Sequence, residues 1–144
     1  MAASRASMPY FAIQVFNKML RRLLLIPLLL MGACSLVDGH AQVISQQELL
    51  QLIEAKADML ILDVRTPGEY SEGHIPGAYS IDHLEIESRI KEIEAYRDKP
   101  VVVYCYSGVR AGMVESYLVE HGFTKVQHLE GDWSAWKANG QPTK

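Results

Sequence analysis

Two short runs constrain the fold of this chain more than any other feature: residues 59–64 (Met-Leu-Ile-Leu-Asp-Val) and residues 101–104 (Val-Val-Val-Tyr). Both are apolar at successive positions, not at alternate ones, so a strand built from either must be covered on both faces. Strands of that kind sit in the middle of a sheet with helices packed on either side. The segments between them read as helices. Ser45-Gln46-Gln47-Glu48 has the form of a capping box, and Leu49, Leu52 and Ile53 continue it at helical spacing to about Ala55. Thr66-Pro67-Gly68-Glu69 is a second capping box with Pro at the first helical position, opening a short helix that Gly73 stops.

The same reading continues through the chain. Val43-Ile44 is a short strand, and Ile75-Pro76-Gly77-Ala78 is a turn into a strand at residues 79–81. Ile86, Ile90 and Ile93 predict a helix that ends before Asp98. Another helix is expected from about Gly108 to His121, a strand at residues 126–129 and a last short helix at residues 133–138. Strands alternating with helices define an α/β fold with a mostly parallel sheet. In such sheets ligands bind beyond the carboxyl ends of the strands. Cys105 stands at that end of the most strand-like run, and Arg65 just past the end of the other.

The segment after residues 101–104 reads Cys105-Tyr106-Ser107-Gly108-Val109-Arg110 and leads into a helix. A tight loop at this place turns successive main-chain N–H groups inward and makes an anion-binding nest at a helix amino terminus. Gly108 permits the backbone angles that such a loop needs. A thiolate inside the nest is stabilised by those donors and by the helix dipole, which raises its reactive fraction. Arg110 adds a permanent charge that can grip an anion in two places. A nucleophile, a ring of donors and a cation together describe covalent catalysis on an anion.

These residues resemble a known family. Cys105 to Arg110 is similar to the six-residue active-site loop of rhodanese domains. Asp63-Val64-Arg65, Glu69-Tyr70 and Gly73-His74-Ile75-Pro76-Gly77-Ala78 resemble that family's amino-terminal signature, and Leu129-Glu130-Gly131-Asp132-Trp133-Ser134-Ala135-Trp136 its carboxyl-terminal one. One departure is Asp132, where the family usually has a second Gly; it is expected to act in local capping. The resemblance implies a five-stranded parallel sheet flanked by helices on both faces. It also implies a sulfurtransferase in which Cys105 takes the outer sulfur of thiosulfate or a similar donor as a persulfide. The amides of Tyr106, Ser107, Gly108, Val109 and Arg110 would hold it, and cyanide or a cellular thiol would accept it. Related phosphatases and arsenate reductases carry one more residue between Cys and Arg, and the shorter loop here suits sulfur better than phosphate. Arg65 is left with two roles, orienting the donor or pairing with a local carboxylate, and Asp63 is expected to be structural. Two other functions remain open on the same nest: a non-enzymatic sulfur carrier or partner-docking module, and a thiol-redox sensor.

The remaining features narrow the setting. Four of the 14 basic residues and one of the 17 acidic ones precede Gln42, which leaves ten against sixteen, a net charge of −6, for the rest. So acidic a domain is a poor binder of nucleic acid. The five histidines show no paired metal-ligand spacing, so neither a metal nor another cofactor is expected. His74 is expected to hold its turn by hydrogen bonds, Trp133 and Trp136 to pack in the core from one helix face, and the acidic stretch 85–94 to form a solvated face. Residues 1–41 read as an export leader, with Met19 as an alternative start. Arg21 and Arg22 precede an apolar run at residues 23–31 that is too short to span a bilayer comfortably. An uncleaved amino-terminal anchor and two cleavage routes are open. Met31-Gly32-Ala33-Cys34 resembles a lipoprotein box, which would tether the protein to a membrane through Cys34. Gly39-His40-Ala41 would release a free periplasmic domain, residues 42–144. One domain of this size can work as a monomer.

Overall fold

The protein is described by a computed structural model covering residues 41–144. The expected leader, with Met19, Cys34 and both cleavage patterns, lies outside the described residues. Five strands form one sheet: β1 (Gln42–Ile44), β2 (Leu60–Asp63), β3 (Tyr79–Ser80), β4 (Val101–Tyr104) and β5 (Val126–Leu129). Their order is β1-β5-β4-β2-β3, and every pairing is parallel. The two runs that read as central strands, β2 and β4, lie side by side with Leu60 opposite Val101 and Asp63 opposite Tyr104.

Alternate residues of these strands feed two cores. Leu60, Leu62, Val101 and Val103 pack on one face with Ile86, Ile93, Val114, Leu118 and Phe123. Ile61, Val102 and Tyr104 pack on the other with Leu49, Ile75, Trp133 and Trp136. The first face is therefore covered by α3 (Ile86–Arg89), a 3-10 helix (Ile90–Tyr96) and α4 (Val109–Glu120). The second is covered by α1 (Gln46–Glu54) and α5 (Asp132–Ala138). Both tryptophans are buried as expected, and Trp136 Nε1–H donates to the Pro142 carbonyl at 2.8 Å.

The capping chemistry explains where helices begin. In α2 (Pro67–Ser71) the box is complete: Thr66 Oγ1 accepts from Glu69 N–H, and Glu69 Oε2 accepts from Thr66 N–H. At α1, Ser45 Oγ accepts from Glu48 N–H at 3.2 Å. The single helix expected after Ile86 is instead one α turn followed by a 3-10 segment. Ile90 and Ile93 are three apart, and that spacing keeps both on one side of a 3-10 helix as well as an α-helix.

The order of strands also creates a crevice. The chain leaves β2 toward β3 on one side and leaves β4 toward β5 on the other. The two connections diverge at the carboxyl ends of β2 and β4, the switch point where α/β sheets take up ligands.

Candidate active site

Cys105 is the first residue beyond β4 and is only 1 % exposed. The loop after it turns at Gly108, whose φ of +98° ends the extended path and starts α4. That turn aims the Gly108 N–H at Cys105 Sγ, 3.1 Å away. Among the amides expected to ring the sulfur, this is the one whose hydrogen bond reaches it directly. Tyr106, Ser107 and Val109 are exposed and form the rim of the loop.

Gly108 has a second reason to be glycine. A Cβ at this position would lie 3.1 Å from Asp132 Oδ2 and 3.5 Å from the His128 ring. Gly108→Ala is expected to cost about 1–3 kcal/mol through backbone strain and crowding. Urea unfolding of the variant measures this, and an unchanged midpoint would contradict the packing described.

Arg110, in the first turn of α4, is not a free cation. Its Nη1 and Nη2 donate to Glu69 Oε2 and Oε1 at 2.7 and 2.8 Å, a two-pronged pair that joins α4 to α2 across the crevice. Glu69 therefore does two jobs, as capping residue of α2 and as the partner that aims Arg110. Sequence reasoning assigned only the first. The guanidinium is held further into its charged state by Glu69 first, with a smaller contribution from the Cys105 sulfur. In turn Arg110, followed by the Thr66 amide and hydroxyl, lowers the Glu69 carboxyl to about 2. A depressed carboxyl contributes stability that is fully present above its unfolded value, about 4.5, and is lost as pH falls through about 2. The stability gap between wild type and Glu69→Gln should accordingly be constant near neutrality and shrink below about pH 4.5. Denaturation curves down the acid range test this, and a gap that does not change with pH would contradict it.

Arg65 has the second of its two roles. It is 1 % exposed, and Asp63 grips it through Nε–H and Nη2–H at 2.6 to 3.1 Å. Nη2 also donates to the Gly73 carbonyl at 2.8 Å, and the guanidinium lies 4.4 Å over the Trp133 ring and 5.6 Å from that of Tyr104. Asp63, expected to be structural, is its carboxylate. The carboxylate pairing left open for Arg65 is thus present, with both oxygens of Asp63 engaged. His74 holds its turn as expected: Nδ1 meets the Tyr70 carbonyl at 3.0 Å and the ring stacks on Tyr70 at 3.8 Å.

Asp132 departs from its expected part in local capping. Its Oδ1 accepts the main-chain N–H of Cys105 at 2.8 Å, and its Oδ2 faces His128 Nε2 at 3.1 Å. The signal available in the sequence was the unusual residue itself, an acid where the family usually has glycine.

A buried cysteine opens a six-residue loop at the switch point of a parallel five-stranded sheet in this α/β domain. Comparison with known proteins gives the family. The sequence pattern described as Rhodanese-like domain matches residues 45–139, and the chain belongs to the rhodanese family. It is 38 % identical over 95 residues to the thiosulfate sulfurtransferase GlpE of Pseudoalteromonas translucida, covering 66 % of this chain and 88 % of the relative. It is 36 % identical over 99 residues to a sulfurtransferase of Allochromatium vinosum, covering 69 % and 91 %. Among solved structures, a rhodanese-related protein from Thermoplasma volcanium superposes with a TM-score of 0.63 at 29 % identity, over 72 % of this chain and 97 % of that one.

Proposed function

We propose that this sulfurtransferase carries the moving sulfur as a persulfide on Cys105, between thiosulfate or a similar donor and a thiol or cyanide. The observation that carries the reading is the Gly108 N–H donating to Cys105 Sγ inside a six-residue loop at the switch point. In the first half-reaction the Cys105 thiolate attacks the outer sulfur of thiosulfate. A Cys105 S–S bond forms, the S–S bond of thiosulfate breaks, and sulfite leaves with the electron pair. In the second, cyanide or a thiolate attacks the outer sulfur of Cys105, leaves as thiocyanate or a new persulfide, and restores the thiolate.

The geometry supports each part. A sulfur–sulfur bond is about 2 Å long, so the added atom reaches beyond the buried Sγ, where the amides of Tyr106, Ser107, Gly108, Val109 and Arg110 can serve its charge. Two of the five N–H donors of the Arg110 guanidinium are taken by Glu69. The rest remain to position an anionic donor. Export is part of the proposal. It rests on Arg21, Arg22 and the apolar run at residues 23–31, and it would leave the domain periplasmic or otherwise exported, free or lipid-anchored according to the cleavage route. Cell fractionation checks it.

A steady-state assay with thiosulfate and cyanide tests the mechanism. Two half-reactions sharing one covalent intermediate give parallel double-reciprocal lines when the second substrate is varied. Intersecting lines would require both substrates on the protein together and would overturn the reading.

A further inference from the structure

Beneath the sulfur-receiving loop lies a charged group that the sulfurtransferase chemistry leaves unexplained. Asp132, at the start of α5, is 2 % exposed and has φ of +53°, a left-handed conformation that L side chains rarely adopt. Strain of this kind persists only where the surroundings hold it in place. The surroundings here are the loop. Cys105 N–H donates to Asp132 Oδ1 at 2.8 Å. The next two amides of α5 reach the other way: Trp133 N–H donates to the Cys105 carbonyl and Ser134 N–H to the Tyr106 carbonyl, both at 3.1 Å. The first turn of α5 thus fastens the nucleophile's own peptide groups on both sides.

The second carboxylate oxygen of Asp132 is fastened in turn. His128, on β5 beside Val103 of β4, faces Asp132 Oδ2 with Nε2 and Glu115 Oε1 of α4 with Nδ1. A carboxylate at each ring nitrogen is satisfied at both ends when the ring is an imidazolium, because only that form donates from both nitrogens. The charged groups facing His128 are Glu115 from α4 and Asp132 from α5, while β4 offers Val103 and the loop offers Gly108. Asp132 first, then Glu115, raises His128 to about 10. Glu115, His128 and Asp132 come from three elements and meet below Gly108, the residue whose amide touches Sγ.

We propose that Asp132 is a positioning residue for sulfur transfer: locked by the Glu115–His128 pair, its carboxylate holds the Cys105 main chain so that the thiolate and the Gly108 amide meet in register. The inference rests on the sulfurtransferase reading of Cys105. Misplacing a reacting group by about 1 Å can cost about a hundredfold in rate, so fixing the nucleophile's own amide is a lever on chemistry and not only on folding. Because the lock needs an imidazolium, catalysis should also fall on the alkaline side as His128 loses its proton through about pH 10. A neutral ring leaves one carboxylate facing a nitrogen lone pair. The sign follows from the raised value: the lock is fully present below the ordinary histidine range and is lost as pH rises through the folded value.

The test uses the full chain and single-turnover sulfur loading from thiosulfate, with Asp132→Gly and Asp132→Asn beside wild type. Glycine accepts the left-handed angle and removes the carboxylate. Asp132→Gly should keep the far-ultraviolet spectrum and a cooperative melt, yet load sulfur about tenfold or more slowly. Asparagine keeps an acceptor for the Cys105 amide and donates to a neutral His128, so Asp132→Asn should recover most of the rate. It should also lower the pH at which the His128 ring signals titrate in NMR spectra. A simple structural cap would leave the loading rate of a folded variant unchanged. Folded Asp132→Gly loading at the wild-type rate would overturn the inference alone. Wild type that takes up no sulfur would overturn the reading of Cys105, and the inference with it. Should Asp132→Gly fail to fold, Asp132→Asn decides: an unshifted His128 titration rejects the lock.

Discussion

Replacing Cys105 by serine is expected to reduce thiosulfate–cyanide turnover at least about a thousandfold while leaving the fold intact. The loop around position 105 is made by main-chain geometry. The staples from Trp133 and Ser134 bind main-chain carbonyls and do not involve the sulfur, and of the loop amides Gly108 N–H is the one that reaches it. A serine hydroxyl can still accept the Gly108 N–H. It stays un-ionised near neutrality and is a weak nucleophile, so the first half-reaction stops. Comparing turnover with the thermal melt of the same preparation separates lost chemistry from lost structure. Turnover that survives the substitution would remove Cys105 from the mechanism.

Removing Arg65 is expected to have the largest effect on stability. Asp63 is wholly buried at the end of β2, and Arg65 is the cation that grips both its oxygens. Arg65→Ala strands that carboxylate, frees the Gly73 carbonyl and empties the space over Trp133. Breaking a buried pair from one side costs about 3–5 kcal/mol, a large share of the roughly 5–15 kcal/mol that holds a domain together. Urea titration should show it as a lower midpoint. Any folded fraction at low temperature should load sulfur at close to the wild-type rate, because Arg65 faces Asp63, Tyr104 and Trp133. Near-normal stability with lost loading would return Arg65 to the donor site.

How far the sequence revealed this arrangement depends on the range of each interaction. The strands β4 and β5 read correctly to the residue: β4 is apolar and buried along its whole length after Pro100, and β5 is bounded by the buried Val126 and Leu129. The caps of α1 and α2 read correctly because a capping group lies within three residues of its donor. The 3-10 segment at residues 90–96 was missed because isoleucines at that spacing suit either helix. At the site, Cys105, Gly108 and Arg110 were legible because one loop carries all three. Glu69 lies 41 residues from Arg110 and was absorbed by its own capping box. Glu115 lies 13 residues from His128, and His128 and Asp132, four apart, stand on either side of the end of β5 and share no helical spacing. They meet through the phase of α4, the register that sets His128 beside Val103, and the left-handed start of α5. Arg65 was ambiguous for the same reason: an arginine past a strand end can face solvent or fold back on the carboxylate two residues before it, and packing against Trp133 decides between them.

The central claim is that sulfur moves through a covalent bond to one atom of the protein. Peptide mapping by mass spectrometry, after brief exposure of the full chain to thiosulfate, examines that bond directly. The account predicts one added sulfur on the peptide bearing Cys105, none on Cys34, and its loss on addition of cyanide. Turnover in the absence of that adduct, or an adduct on any other residue, would contradict it.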